Sequence, residues 1–142
     1  MNGRKIYGII TLSLLIMASG CGDYVHPTIP NVHVDFTIYP NDPNYPGLNY
    51  FGGHEYFTGG VNGIVIYRID YETFAAYDRA CPYDWENPDA WICVDPSGLV
   101  LIDSCCGSRF NILDGLPING PSELPLKYYK TRYNGNRLRI YS

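Results

Sequence analysis

From residue 32 onward the chain alternates. In "VHVDFTIYP", Val32, Val34, Phe36 and Ile38 fall on one side and His33, Asp35 and Thr37 on the other, a period of two that predicts a half-buried strand. "GIVIYRIDYETFAAYDRA" (63–80) reads as two strands around a turn at Asp70-Tyr71-Glu72, and "WICVDPSGLVLIDS" (91–104) repeats the arrangement around Pro96-Ser97-Gly98. The terminal "LPLKYYKTRYNGNRLRIYS" ends in a hairpin at Asn134-Gly135, the pair suited to a type I′ turn. Between the first strand and these hairpins, "NDPNYPGLNYFGG" carries Pro43 and Pro46, which remove backbone donors, so it is expected to be a loop or an edge. Gly52-Gly53 and Gly59-Gly60 read as turns, and His54 beside them as a turn residue. Helical periodicity is missing from the mature chain, so the pattern predicts one all-β domain over 32–142, with roughly eight to ten short strands.

The front of the chain is different. Arg4 and Lys5 precede an apolar run from Ile6 to Met17, followed by Ala18-Ser19-Gly20 and then Cys21. The run is short for a membrane span and has the layout of an export signal. The small residues before a cysteine resemble the lipobox of bacterial lipoproteins, which implies a signal peptide over 1–20 and a mature N-terminus lipidated at Cys21. Several acyl chains anchor stably, at about 0.8 kcal/mol per buried methylene. Residues 21–31 then read as a lipid-anchored tether, and Gly22-Asp23 points toward the outer membrane of a Gram-negative envelope, on its periplasmic or surface face.

Removing the signal changes the charge. Counted from Cys21 the chain has 8 basic and 14 acidic residues, a net charge of −6. That argues against nucleic acid and against electrostatic attraction to anionic lipid. Four cysteines remain, Cys81, Cys93, Cys105 and Cys106, in a compartment that permits disulfides.

Two of these cysteines are adjacent, in "LIDSCCGSRFNILDG" (101–115); another lies in "YDRACPYDWEN" (77–87), and "NGPSELPLKYY" (119–129) follows. This order resembles the Rieske [2Fe–2S] fold, in which a Cys-x-His loop and a Cys-x-x-His loop trailed by Gly-Ser-x-aromatic precede a Gly-Pro-x-x-x-Pro-Leu loop. The resemblance implies an antiparallel multi-sheet domain. It also implies a cluster held by two cysteines and two histidines, and there the chain departs from the pattern. Cys81 takes the first cysteine position, but Tyr83 stands at the first histidine, Asp103 at the second cysteine and Cys106 at the second histidine. The three histidines, His26, His33 and His54, all precede both loops; His33 and His54 read as solvated.

The four sulfurs therefore read first as disulfides. In the resemblance, Cys105 sits where many Rieske domains place a cysteine that bridges to the first loop. Adjacent Cys105 and Cys106 should point opposite ways and pair elsewhere, as Cys81–Cys106 with Cys93–Cys105, the preferred pairing, or as Cys81–Cys105 with Cys93–Cys106. Each bridge would stabilise by roughly 2–4 kcal/mol. The alternative is a metal on Cys81, Cys93, Cys105 and Cys106: zinc, for which the adjacent pair is poorly spaced, or an iron–sulfur cluster, [2Fe–2S], with Ser108 tuning it from behind. Against it, the signal lacks a twin arginine, which suggests unfolded export without a preloaded cofactor. A redox dithiol would want a Cys-x-x-Cys on a helix or a basic neighbour; Arg79 and Arg109 are near in sequence, but the helix is missing.

Fourteen tyrosines could form a sugar- or partner-binding surface, and more simply fill strand edges. Trp85 and Trp91 flank the first loop as packing residues, and Asp84 and Glu86 read as solvated charges. The pattern offers no catalytic couple. The expectation is a non-enzymatic, disulfide-stapled structural or interaction module on a Rieske-like scaffold, without a resident metal, serving as an accessory subunit among envelope proteins. An electron-transfer protein with a Cys-rich iron–sulfur centre is the competing class.

Overall fold

The structure, a computed structural model, describes residues 26–142. The expected signal peptide and the lipidation site at Cys21 lie outside the described residues. Ten strands in three antiparallel sheets make up the fold, with no α-helix among the described residues. The first sheet has the order β1 (Asp35–Ile38), β10 (Leu138–Tyr141), β9 (Lys130–Tyr133). The second is β2 (His54–Phe57), β3 (Ile64–Arg68), β4 (Phe74–Asp78), and the third is β5 (Ile92–Val94), β6 (Val100–Asp103), β7 (Arg109–Asn111), β8 (Pro117–Asn119).

The middle sheet explains the run "IVIYR". Every residue of β3 is buried, and alternation sends Ile64 and Ile66 into one apolar cluster with Val34, Ile38, Leu138 and Ile140. Val65 and Tyr67 go into a second cluster with Ile92, Leu101 and Phe110. A strand covered on both faces reads as continuous apolar sequence rather than as an alternation. The first cluster lies between the first and middle sheets, the second between the middle and third.

Both internal hairpins form as expected, and the β3–β4 turn is capped by Asp70, whose Oδ1 accepts from the N–H groups of Glu72 and Thr73 at 2.8 Å each. Elsewhere the structure corrects the pattern. His54 is not in a turn: it opens β2 opposite Tyr67, in a segment, "HEYF", too polar to announce itself. β1 begins only at Asp35, leaving Val32 38% exposed. At the last hairpin Asn134 N–H donates to the Arg137 carbonyl, so Gly135 and Asn136 are the central pair. Gly135 has φ +88° and no non-glycine residue described has positive φ, which suits type II′ rather than I′.

The end of the segment read as a tether packs on the domain. Ile29 and His26 are buried, and Lys127 Nζ donates to the Pro30 carbonyl at 2.7 Å. His26 Nδ1 accepts from the Ile29 N–H at 3.1 Å, which leaves Nε2–H to donate to the Pro125 carbonyl at 2.8 Å. Burial lowers the imidazole pKa below 6.5. The unfolded chain then takes up this proton before the folded one as pH falls, so the contribution is full above about 6.5 and is lost as pH drops through the lowered folded value. Thermal melts should show lower stability at pH 5.5 than at 7.5, and His26→Gln should shrink that difference; an unchanged difference would show that His26 does not carry it.

Candidate metal centre

β4 ends at Asp78, whose fully buried carboxylate accepts from Val61 N–H (2.7 Å), Asn62 N–H (3.1 Å), Ala80 N–H (2.9 Å) and Tyr129 O–H (2.6 Å). This fixes the direction in which the chain leaves the strand. The bridge between Ala80 and Trp91 closes the first loop at its base. Within the loop, Asp84 N–H donates to the Cys81 carbonyl (3.3 Å), and Asn87 N–H to the Asp84 carbonyl (2.8 Å). These turns fold Asp84 back over Cys81.

The second loop is tighter. Asp103 N–H donates to the Ser108 carbonyl and Gly107 N–H to the Asp103 carbonyl, both at 2.9 Å. Cys105 N–H donates to Asp103 Oδ1 at 2.7 Å. The third loop leans on the second: Ser108 Oγ, fully buried, accepts from Ser122 N–H at 3.1 Å and lies 3.0 Å from Cys106 Sγ.

The two loops bring together Cys81, Asp84, Asp103 and Cys106, whose ligand atoms all lie within 4.8 Å of one another. The Cys81 and Cys106 sulfurs are 3.6 Å apart. Cys81 and Asp103 are fully buried, and Asp84 and Cys106 half-buried. Two carboxylate oxygens, Asp84 Oδ1 and Asp103 Oδ2, are buried without a hydrogen-bond partner. Burial pushes the Cys81 thiol well above its ordinary pKa. It raises the Asp84 carboxyl as well, with the neighbouring Asp103 charge adding to the effect.

The expected residues divide. Cys81, Asp103 and Cys106 meet; Cys93, Cys105 and Tyr83 do not join them. All four cysteines are free, so neither bridge of the preferred disulfide set is closed, although Cys81 and Cys106 are side by side. Strand parity accounts for Cys93: Ile92 points into the core opposite Asp103, so Cys93 faces away from the site. There its sulfur accepts from Arg79 Nη2 at 3.4 Å. Cys105 does point opposite to Cys106, as expected of neighbours, and its exposed sulfur accepts from Asn87 Nδ2 at 3.1 Å. Tyr83 is 60% exposed, on the rim beside Pro121 and Leu124.

Asp84 was expected to be a solvated charge; it belongs to the group. The signal was its spacing. Cys81-Pro-Tyr-Asp84 and Asp103-Ser-Cys-Cys106 are two ligand pairs, each with two residues between, in mirrored order. None of the three histidines belongs to the group.

A Rieske-type binuclear cluster does not fit these residues. It needs two ligand pairs on opposite irons. The group holds two cysteines and two aspartates, and the two histidines that the second iron of such a cluster takes are not part of it.

No family model matches the chain, and no curated protein matches it. Among solved structures it is similar to the ferredoxin of carbazole 1,9a-dioxygenase from Nocardioides aromaticivorans IC177, at 17% identity and TM-score 0.48, over 64% of this chain and 86% of that one. It is similar also to a Mycobacterium tuberculosis protein described as the small subunit of an NADH-dependent nitrite reductase, at 14% identity and TM-score 0.48, over 79% and 97% of the two chains. A third is the E. coli protein NirD, at 15% identity and TM-score 0.44, over 66% and 86%.

The seat of the third loop gives a direct test. Gly120 has φ +99°, and a Cβ there would lie 2.5 Å from Ser108 Cα. Gly120→Ala should cost more than about 1 kcal/mol in chemical denaturation and speed alkylation of Cys106. Unchanged stability and reactivity would show that the third loop does not hold the second in place.

Proposed function

We propose that the chain is an exported module, held at the cell envelope by a lipid on Cys21. A Rieske-like β scaffold presents a tip whose two loops are tied together at Cys81 and Cys106. It acts as a structural or interaction unit, an accessory subunit among envelope proteins, and its exposed rim at Tyr83 and Pro121 is the surface offered to a partner. The observation that supports this reading is the 3.6 Å contact between sulfurs that belong to separate loops. The outer membrane is the favoured location on the strength of the residues after Cys21. The competing reading, an iron–sulfur electron carrier on four cysteines, would require Cys93 and Cys105 to leave their contacts with Arg79 and Asn87 and turn to the opposite side.

If the loops are tied, Cys81→Ser and Cys106→Ser should each lower the melting temperature by about 10 °C, as loss of a 2–4 kcal/mol cross-link does in a domain of this size. Both should also open the Tyr83–Asn87 segment to protease, whereas Cys93→Ser and Cys105→Ser should do neither. Wild-type behaviour of the first pair would overturn the reading. Cys21→Ala should move the protein from the membrane to the soluble fraction, and retention in the membrane would remove the anchor from the proposal.

A further inference from the structure

We infer that Cys81, Asp84, Asp103 and Cys106 form a binding site for one divalent cation of the zinc class, so that the tie between the loops is a shared ion rather than a sulfur–sulfur bond. This rests on the reading that the loops are tied at Cys81 and Cys106.

The geometry favours one ion. Bonds of about 2.3 Å to sulfur and about 2.0–2.2 Å to oxygen, arranged tetrahedrally, place ligand atoms about 3.3–3.8 Å apart. The two sulfurs already stand at 3.6 Å, and the whole group lies within 4.8 Å. Small side-chain rotations close the remainder.

The spacing favours it as well. Structural zinc sites draw ligand pairs from two short turns, commonly with two intervening residues. Cys-x-x-Asp and Asp-x-x-Cys supply two such pairs, one from each loop.

A third observation is independent of both. Asp103 is 0% exposed, yet its Oδ2 has no hydrogen-bond partner, and a second buried oxygen without one is on Asp84. A buried carboxylate oxygen left unpaired costs several kcal/mol at the upper end, so a native fold gives it a partner. No histidine belongs to the group, no lysine or arginine is among the groups that perturb Asp84, and a cation satisfies both oxygens at once.

The remaining donors orient the ligands, as outer contacts do in metal sites. Cys105 N–H holds Asp103 Oδ1, which leaves Oδ2 turned toward the group; Ser108 N–H donates to Cys106 Sγ at 3.4 Å, and the Cys106 thiol donates to Ser108 Oγ at 3.0 Å.

The donor set selects the metal. Two thiolates disfavour magnesium and calcium, which take oxygen, and four donors are too few for either. Fully deprotonated, two thiolates and two carboxylates around a divalent ion carry the same net charge as a four-thiolate zinc site.

The test uses the full-length protein, purified under reducing conditions, with zinc and cobalt as probes. Elemental analysis should give one zinc per chain. Cobalt substitution should give visible d–d bands of tetrahedral intensity and a thiolate charge-transfer band. Asp103→Asn and Cys106→Ser should weaken zinc binding more than about tenfold; Asp84→Asn, at the half-buried position, provides the same comparison if Asp103→Asn does not fold. Cys93→Ser and Cys105→Ser should bind as wild type. Zinc binding unaffected by all three ligand variants overturns the site. Absence of zinc with a Cys81–Cys106 disulfide found by mass spectrometry overturns the ion but keeps the tie. Absence of zinc with both thiols free, or two irons with sulfide per chain, overturns both.

Discussion

Asp78 is the junction on which the three sheets depend. A buried carboxylate is costly unless its oxygens are hydrogen-bonded, and here four donors converge on it. Two belong to the glycine-rich turn that feeds β3, one to the residue that starts the first loop, and one to Tyr129, just before β9. Removing any one of these groups leaves the carboxylate short of a partner and loosens the turn, loop or strand end to which that group belongs. The same carboxylate sets the exit direction of the chain three residues before Cys81. The position of the first thiol is thus inherited from a hydrogen-bond node deep in the fold.

The second pair of groups is positioned by register. Asp103 pairs with Ile92 across β5 and β6, on the inward face of the strand, and the loop that follows is short enough for Gly107 to hydrogen-bond back to it. Cys106 is then carried over the Asp103 carboxylate, and Ser108 fastens the loop to the segment after β8. Thiol from one loop and carboxylate from the other meet because the middle and third sheets are packed together through Val65, Tyr67 and Phe110. Disorder in that shared core would separate the pairs before it disturbed either loop internally.

Much of this was legible in the residues. Turn signals at Asp70-Tyr71-Glu72 and Pro96-Ser97-Gly98 located both internal hairpins, and the loop order located the tip. What was not legible has physical causes. β2 is "HEYF", whose strand character comes from its ladder with β3 and not from its own pattern. Cys93 looked equivalent to the other sulfurs, but strand parity, fixed only once Ile92 is known to face inward, turns it away. Asp84 lies among proline, tryptophan and glutamate, a composition that reads as solvated; its burial comes from turns that fold the loop over Cys81. A search for thiols and imidazoles alone passes over a carboxylate that completes the set.

The closure of the first loop has a consequence for how such a chain can change. Its two ends are held at Ala80 and Trp91 by a bridge, and its candidate ligands, Cys81 and Asp84, both lie in its first half. The stretch from Glu86 to Asp89 lies at the surface, with only Asn87 half-buried. Lengthening a flexible loop costs little, about 0.6 kcal/mol for each doubling. Insertions at Pro88 and Asp89, beyond the Asn87 N–H that holds the Asp84 carbonyl, would be tolerated while the four inward groups kept their places, so that part of the rim can diversify in length and composition around a constant interior.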